Sequence, residues 1–185
     1  RLCVRLRVSS EYSELSLASK FGCDLTEAPA LLQETRQYAD WLGVCFHVGS
    51  QAMSPQAYSD AIERVRAAIV DAAVTVDIID VGGGFPSVYP GMEPVSLERY
   101  FDAIHRGFES LPISYSAELW CEPGRALSAE YSSVVVRVER RRGNELYIND
   151  GAYGALFDAA HIGWRFPVEL LREEASLETL EGFSF

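Results

Sequence analysis

Four short apolar runs, separated by segments of helical periodicity, constrain the fold of this 185-residue chain more than any other feature. They lie at 2–8 (LCVRLRV), 44–48 (VCFHV), 74–81 (VTVDIIDV) and about 114–121, and the third is dense in β-branched residues, as in a buried parallel strand. Between the first two, Thr26 is placed to cap a helix over 27–42, with Glu27 in its first turn, Leu31, Leu32, Tyr38, Ala39 and Leu42 on its apolar side, and Gly43 as its breaker. Pro55 opens a second helix through Ala72, with Tyr58, Ala61, Ile62, Val65, Ile69 and Ala72 on one face. A third, Leu97 to Ser110, turns Tyr100, Phe101, Ile104 and Phe108 inward. Residues 9–23 and 85–96 read as loops, and Gly49, Ser50 and Gln51 follow the second strand. Strand then helix, repeating roughly every 30 to 40 residues, predicts parallel βα units in a barrel or an open sheet.

The pattern changes near residue 130. Residues 131–140 alternate, 141–144 read as a turn and 145–148 as a returning strand, which predicts an antiparallel hairpin opening a β-rich domain. The boundaries are therefore 1–129 and 130–185. Residues 150–167, rich in glycine, alanine and aromatics, read as an active-site loop rather than regular structure, and 177–185 as turn and strand, cut short. The first residues already form a strand without an initiating methionine, so both ends are expected to be cut from a longer chain.

Composition narrows the function. A net charge of −11 argues against a general nucleic-acid binder, which needs a basic face. No apolar run is long enough to span a membrane as a helix. Cys3, Cys23, Cys45 and Cys121 lack paired metal-site spacing, and without a secretory signal they read as reduced cytoplasmic thiols. His47, His105 and His161 lack ligand spacing, so no metal site is expected.

The distinctive residues fall at the carboxyl ends of the expected strands, where parallel α/β folds place their chemistry. Gly82, Gly83 and Gly84 follow the third run. A side-chain-free turn there presents bare N–H groups suited to phosphate, or is simply a tight turn; its spacing is neither the dinucleotide fingerprint nor the nucleotide-triphosphate loop. Glu122-Pro123-Gly124-Arg125 follows the fourth. Glu122 suits a base, a metal ligand or an anchor for a ring nitrogen, and Arg125 a phosphate or carboxylate, unless the two form a structural ion pair. His47, at the end of the second strand, is either a satisfied core histidine or an aromatic face for a ligand, with Ser50 as a donor to an oxyanion. Asn149-Asp150-Gly151 is a turn or part of a compact aromatic loop with Tyr153. Cys121 has no base beside it to make it a nucleophile.

Together the runs FHVGSQ (46–51), DVGGGFP (80–86), CEPGR (121–125) and NDGAYG (149–154), with SKFG (19–22), resemble the fold-type III pyridoxal-phosphate decarboxylases of basic amino acids, the ornithine decarboxylase-like group. GGGFP combined with NDGxYG looks more like ornithine decarboxylase than diaminopimelate decarboxylase. The resemblance implies the C-terminal half of an alanine-racemase-like (β/α)8 TIM barrel over 1–129, followed by the start of a β-rich domain, in a cytoplasmic head-to-tail homodimer. It implies that His47 stacks on the pyridine ring, that Ser50, Gly82, Gly83, Gly84, Gly124 and Arg125 hold the phosphate, and that Glu122 pairs with the ring nitrogen. His47 and Glu122 are then the catalytic pair. It implies a small basic amino-acid substrate, most simply L-ornithine decarboxylated to putrescine, with Asp150, Tyr153 and Asp158 as substrate or active-site-loop residues; lysine, arginine and diaminopimelate are the alternatives. The only lysine, Lys20, lies in the SKFG run. The family's Schiff-base lysine is expected upstream of residue 1 and its Cys-Asp pair beyond residue 185. A non-catalytic regulatory homologue that binds a protein partner therefore remains an alternative.

Half a barrel leaves open sheet edges at 2–8 and 114–121. Expressed alone, these residues are expected to aggregate or be poorly ordered; a monodisperse sample with a sharp two-state thermal transition would contradict this.

Overall fold

The computed structural model describes residues 1–171. The expected turn and strand over 177–185 lie outside the described residues. Two compact units divide the chain: residues 1–88 with 93–129, and residues 89–92 with the chain from Glu130 onward.

The first unit is built on a parallel sheet of β1 (Leu2–Arg5), β3 (Leu42–Cys45), β5 (Ile78–Asp80) and β6 (Glu118–Trp120), in that spatial order. Between β1 and β3 lie β2 (Ser13–Leu15) and α1 (Ala28–Arg36); β4 (Ser50–Ala52), α2 (Gln56–Ala72) and α3 (Leu97–Glu109) complete the connections, and α4 (Arg125–Ser128) closes the unit. The four strands and their intervening helices agree with the expected βα repetition. They form part of a TIM-barrel-like arrangement, with β1 and β6 as edges among the described residues.

Register separates the two faces of the sheet. Val4, Val44, Ile79 and Leu119 occupy one cross-strand row and pack into the apolar core with α1, α2 and α3. Side chains alternate along a strand, so Cys3, Gly43, Ile78 and Glu118, then Arg5, Cys45, Asp80 and Trp120, face the other way. That face is polar and half open. On this face Cys45 lowers the Cys3 pKa, while Cys3 and burial raise that of Cys45. Gly43, expected as a helix breaker, instead sits within β3: a Cβ there would lie 3.1 Å from the Cys3 sulfur and 3.5 Å from Ile78 Cβ.

Other boundaries differ from expectation for identifiable reasons. Helix α1 stops at Arg36 rather than 42, because the Arg36 guanidinium turns back onto the Ala39 and Asp40 carbonyls and pairs with Asp77. Tyr38, expected inward, is 76% exposed. Thr26 does not cap this helix; Glu27 occupies the N-cap position with no side-chain cap bond, and a proline stands in the first turn. The segment expected as a loop at 9–23 contributes β2, which pairs antiparallel with β4, formed just past the second expected strand. The four runs expected as strands all shorten to three or four residues of ladder. Helix α2 matches its expected span and carries eight buried residues. On α3, Tyr100 and Ile104 are buried as expected, whereas Phe101 is exposed on one side.

In the second unit β7 (Val138–Arg142) and β8 (Glu145–Ile148) form an antiparallel hairpin around Gly143-Asn144. Residues 131–136 do not join it, whereas both backbone groups of Arg137 bond to Asn149; Tyr131, Val134 and Val135 are exposed, and β propensity without a partner strand makes no strand. Helix α5 (Phe157–Ile162), ended by Gly163 in the left-handed region, replaces part of the expected irregular loop. Tyr89 packs on Trp164 and Phe166.

Asp77 ties three elements together: its carboxylate accepts from the Leu42 N–H and from Arg36, both at 2.8 Å. The Leu42 amide bond foremost, with the Arg36 pair, holds its pKa below the usual value against the opposing effect of burial. The stabilisation is present above the unfolded-state value of 3.8 and is lost as pH falls through the lower folded-state value. Asp77→Ala is expected to cost about 1–2 kcal/mol in denaturant unfolding near neutral pH, mostly through the amide bond because the ion pair is partly exposed and screened. The difference from wild type should shrink in acid.

Candidate functional site

The site is built from three strand ends. Two residues beyond Cys45, Asp80 and Trp120, which share one row of the sheet, stand His47, Gly82 and Glu122. The ladder continues past the strands through Phe46 N–H to Asp80 O, Val81 N–H to Trp120 O and Glu122 N–H to Gly82 O. Core-building backbone therefore brings the three segments side by side.

The glycine turn lies against its neighbours on every side. Gly82 and Gly84 have φ of +65° and +104°, and added Cβ atoms would collide with the carbonyl oxygens of Phe46 and Gly49. A Cβ at Gly83 would lie 2.8 Å from Glu122 O and 3.1 Å from His47 Nε2. All three glycine carbonyls are engaged: Gly82 O by Glu122 N–H, Gly83 O by the Tyr58 hydroxyl and Gly84 O by Ala52 N–H. The Gly82 N–H donates to Asp80 Oδ1 at 2.8 Å. The N–H groups of Gly83 and Gly84 donate to no acceptor among the described residues. Such successive free amides suit an anion.

His47 is half-buried and is not a core histidine. Its Nδ1 accepts from Gly49 N–H at 3.0 Å, which makes Nδ1 the acceptor and leaves the proton of the neutral ring on Nε2, toward Gly83. Burial chiefly, and the Arg5 guanidinium, lower its pKa, with Asp80 partly opposing. Arg125, which opens α4, donates to Ser50 Oγ at 3.3 Å. Glu122 is exposed, and its backbone N–H donates to Gly82 O. Gly124 is the N-cap of α4, and a Cβ there would meet open space. Burial and the Asp80 carboxylate raise the Cys121 pKa, the opposite of what a nucleophilic thiol requires. Lys20 is exposed.

Asp150, Tyr153 and Asp158 belong to the second unit. The Asp150 carboxylate accepts from Gly151 and Ala155 N–H, Tyr153 is fully exposed, and Asp158 stands in the first turn of α5. Tyr58, Gln51 and Asp80 were not anticipated as site residues. The available signals were a tyrosine on an otherwise apolar helix face, whose buried hydroxyl needs a partner, and an aspartate two residues before a glycine, a pattern that forms side-chain-to-backbone turns.

A pyridoxal phosphate group fits these residues: the glycine turn carries no side chains, two of its amides donate to no acceptor among the described residues, Ser50 and Arg125 add donors, and the His47 imidazole and the Glu122 backbone flank the turn. Residues 1–129 match the family model described as pyridoxal-dependent decarboxylase, pyridoxal binding domain. The chain is 31% identical over 186 residues to an ornithine decarboxylase of Panagrellus redivivus, covering 85% of this chain and 42% of that protein. It is 28% identical over 186 residues to antizyme inhibitor 2 of Xenopus laevis, covering 87% of this chain and 40% of the relative. Among solved structures, a lysine/ornithine decarboxylase from Vibrio vulnificus complexed with cadaverine superimposes with a TM-score of 0.75 at 27% identity, over 95% of this chain and 47% of that one. The chain thus spans less than half the length of the relatives it matches.

The folded-state pKa of His47 lies below its ordinary 6.5, so the unfolded chain binds the proton first as pH falls. Apoprotein stability is expected to drop as pH is lowered through about 6.5, and His47→Gln to flatten that part of the profile. Thermal unfolding of both forms at pH values above and below that point checks this.

Proposed function

The chain belongs to the pyridoxal-dependent decarboxylases through their pyridoxal-binding domain, and from that premise we propose that the full-length protein decarboxylates a basic L-amino acid, with L-ornithine to putrescine as the preferred reaction. The observation that carries this reading is the glycine turn: three engaged carbonyls, two open amides, and His47 and Glu122 on its flanks.

Gly83 and Gly84 amides, the Ser50 hydroxyl and Arg125 would hold the phosphate, with Gly82 shaping the turn and Gly124 leading Arg125 into place. The His47 ring would lie against the pyridine face. Bound pyridoxal phosphate supplies an electron sink for the pair left behind when the carboxylate departs as carbon dioxide. Glu122 would hold a proton at the pyridine nitrogen, since a neighbouring carboxylate favours the charged form, and a protonated ring is the stronger sink. We assign Asp150, Tyr153 and Asp158 to the substrate or the active-site loop. The carboxylate of Asp150, oriented by its two amide bonds, suits the distal ammonium of a basic substrate.

The similarity to lysine/ornithine and ornithine decarboxylases supports this substrate class, with lysine, arginine and diaminopimelate as alternatives within it. A head-to-tail homodimer is part of the proposal. Four free cysteines support a cytoplasmic location, and no helix among the described residues is long and apolar enough to cross a membrane. A second reading, a non-catalytic homologue that binds a protein partner, is favoured by the relative named antizyme inhibitor 2.

The test is carbon dioxide release by the full-length protein, supplied with pyridoxal phosphate, across ornithine, lysine, arginine and diaminopimelate. Release is expected, fastest from ornithine. A protein that retains the cofactor but releases none from any of the four supports the second reading; one that takes up no cofactor overturns both the site assignment and the activity.

A further inference from the structure

A turn of three glycines has no side chains with which to set its own peptide planes. Its peptides are trans, so each carbonyl points away from the N–H of the following residue. Whatever grips the carbonyls therefore aims the amides. Gly82 O and Gly84 O are gripped by backbone N–H groups, of Glu122 and Ala52, each at 2.9 Å. Any residue other than proline supplies those bonds. Gly83 O differs, because its donor is one side-chain atom, the Tyr58 hydroxyl, at 3.0 Å.

Tyr58 stands on α2, in the helical layer behind the sheet, and is fully buried. Its ring stacks on Phe85 with centroids 5.1 Å apart and meets Tyr100 edge-on at 6.1 Å. The hydroxyl therefore has little freedom, and burial raises its pKa well above the ordinary range, so it remains a donor. Phe85 follows the glycines directly, so one aromatic contact fixes both the tyrosine and the loop it holds.

We propose that Tyr58 is a positioning residue for the cofactor phosphate: by holding Gly83 O on the helix side it turns the Gly84 N–H toward the phosphate. This rests on the pyridoxal-phosphate reading of the site. Without the hydroxyl, the peptide between Gly83 and Gly84 keeps no grip on its carbonyl, and glycine on both sides lets it rotate.

Tyr58→Phe keeps the ring, its volume and its stacking, and deletes only the donor. In the full-length protein freed of cofactor, binding of pyridoxal phosphate and of pyridoxal, which lacks the phosphate, is measured beside thermal unfolding. The dissociation constant for pyridoxal phosphate is expected to rise about tenfold, the worth of one well-placed hydrogen bond, while that for pyridoxal stays unchanged. The phosphorus NMR signal of bound cofactor should also move. Unchanged affinity for pyridoxal phosphate overturns the proposal whatever happens to thermal stability, since a purely structural hydroxyl would lower stability alone. Equal weakening of both ligands overturns it too. A wild-type protein that binds neither ligand instead overturns the cofactor reading, and the role of Tyr58 with it.

Discussion

The parallel register of β3, β5 and β6 is the constraint on which the site depends. It sets Cys45, Asp80 and Trp120 in one row, so three chain segments leave the sheet at the same height. Two residues later, by the alternation of a strand, His47, Gly82 and Glu122 come to the same side. A slip of one residue in either pairing would move one of them to the opposite face. The rows that put Val44, Ile79 and Leu119 against the helices thus fix the site as well, and the core and the chemistry cannot be separated.

What the sequence made legible follows from the same logic. The alternation of strand and helix, and helix α2, were readable because their apolar periodicities are satisfied by burial inside the first unit. The site motifs were readable because glycine, proline and charged residues interrupt apolar runs at strand ends. Elements made by tertiary contact were not readable. Nothing in Ser13-Glu14-Leu15 or Ser50-Gln51-Ala52 has the alternation of a strand; the two pair because the chain returns past the end of β3. The early stop of α1 depends on Arg36 reaching Asp77, forty-one positions away in the chain, and local propensity carries no trace of that pair. The reverse failure occurs at 131–136, where Val134 and Val135 pair with no strand among the described residues and stay exposed.

The half-open polar face of the sheet also explains the electrostatics of the site. His47 shares its surroundings with Arg5 and Asp80, which act on it in opposite directions, and burial decides the balance toward the neutral ring. Asp80 is committed to the Gly82 amide, so its charge shapes the turn as well as opposing that of Arg5. In the proposed site, an acidic chain would hold an anion with backbone amides and one arginine, without a basic surface.

Rigidity of the turn comes from the most buried layer of the protein. The Tyr100 hydroxyl donates to Ala52 O at 2.8 Å, and the Ala52 N–H donates to Gly84 O. Gln51, fully buried with φ +57°, places its amide against both backbone groups of Ser87, donating to the carbonyl and accepting from the N–H. A left-handed glutamine costs about 1 kcal/mol or more, and a buried amide costs more if unpaired. Both costs are offset because one side chain satisfies two backbone groups of a loop that belongs to no sheet. The segment from Gly82 to Ser87 is thus held at its start by Asp80, in its middle by Tyr58 and Ala52, and at its end by Gln51. Three glycines are the most flexible residues a chain can offer, and here nearly every degree of freedom they open is closed from outside. That combination, close approach without side chains and order without local preference, is what a surface of bare amides needs in order to meet an anion without first being rearranged by it.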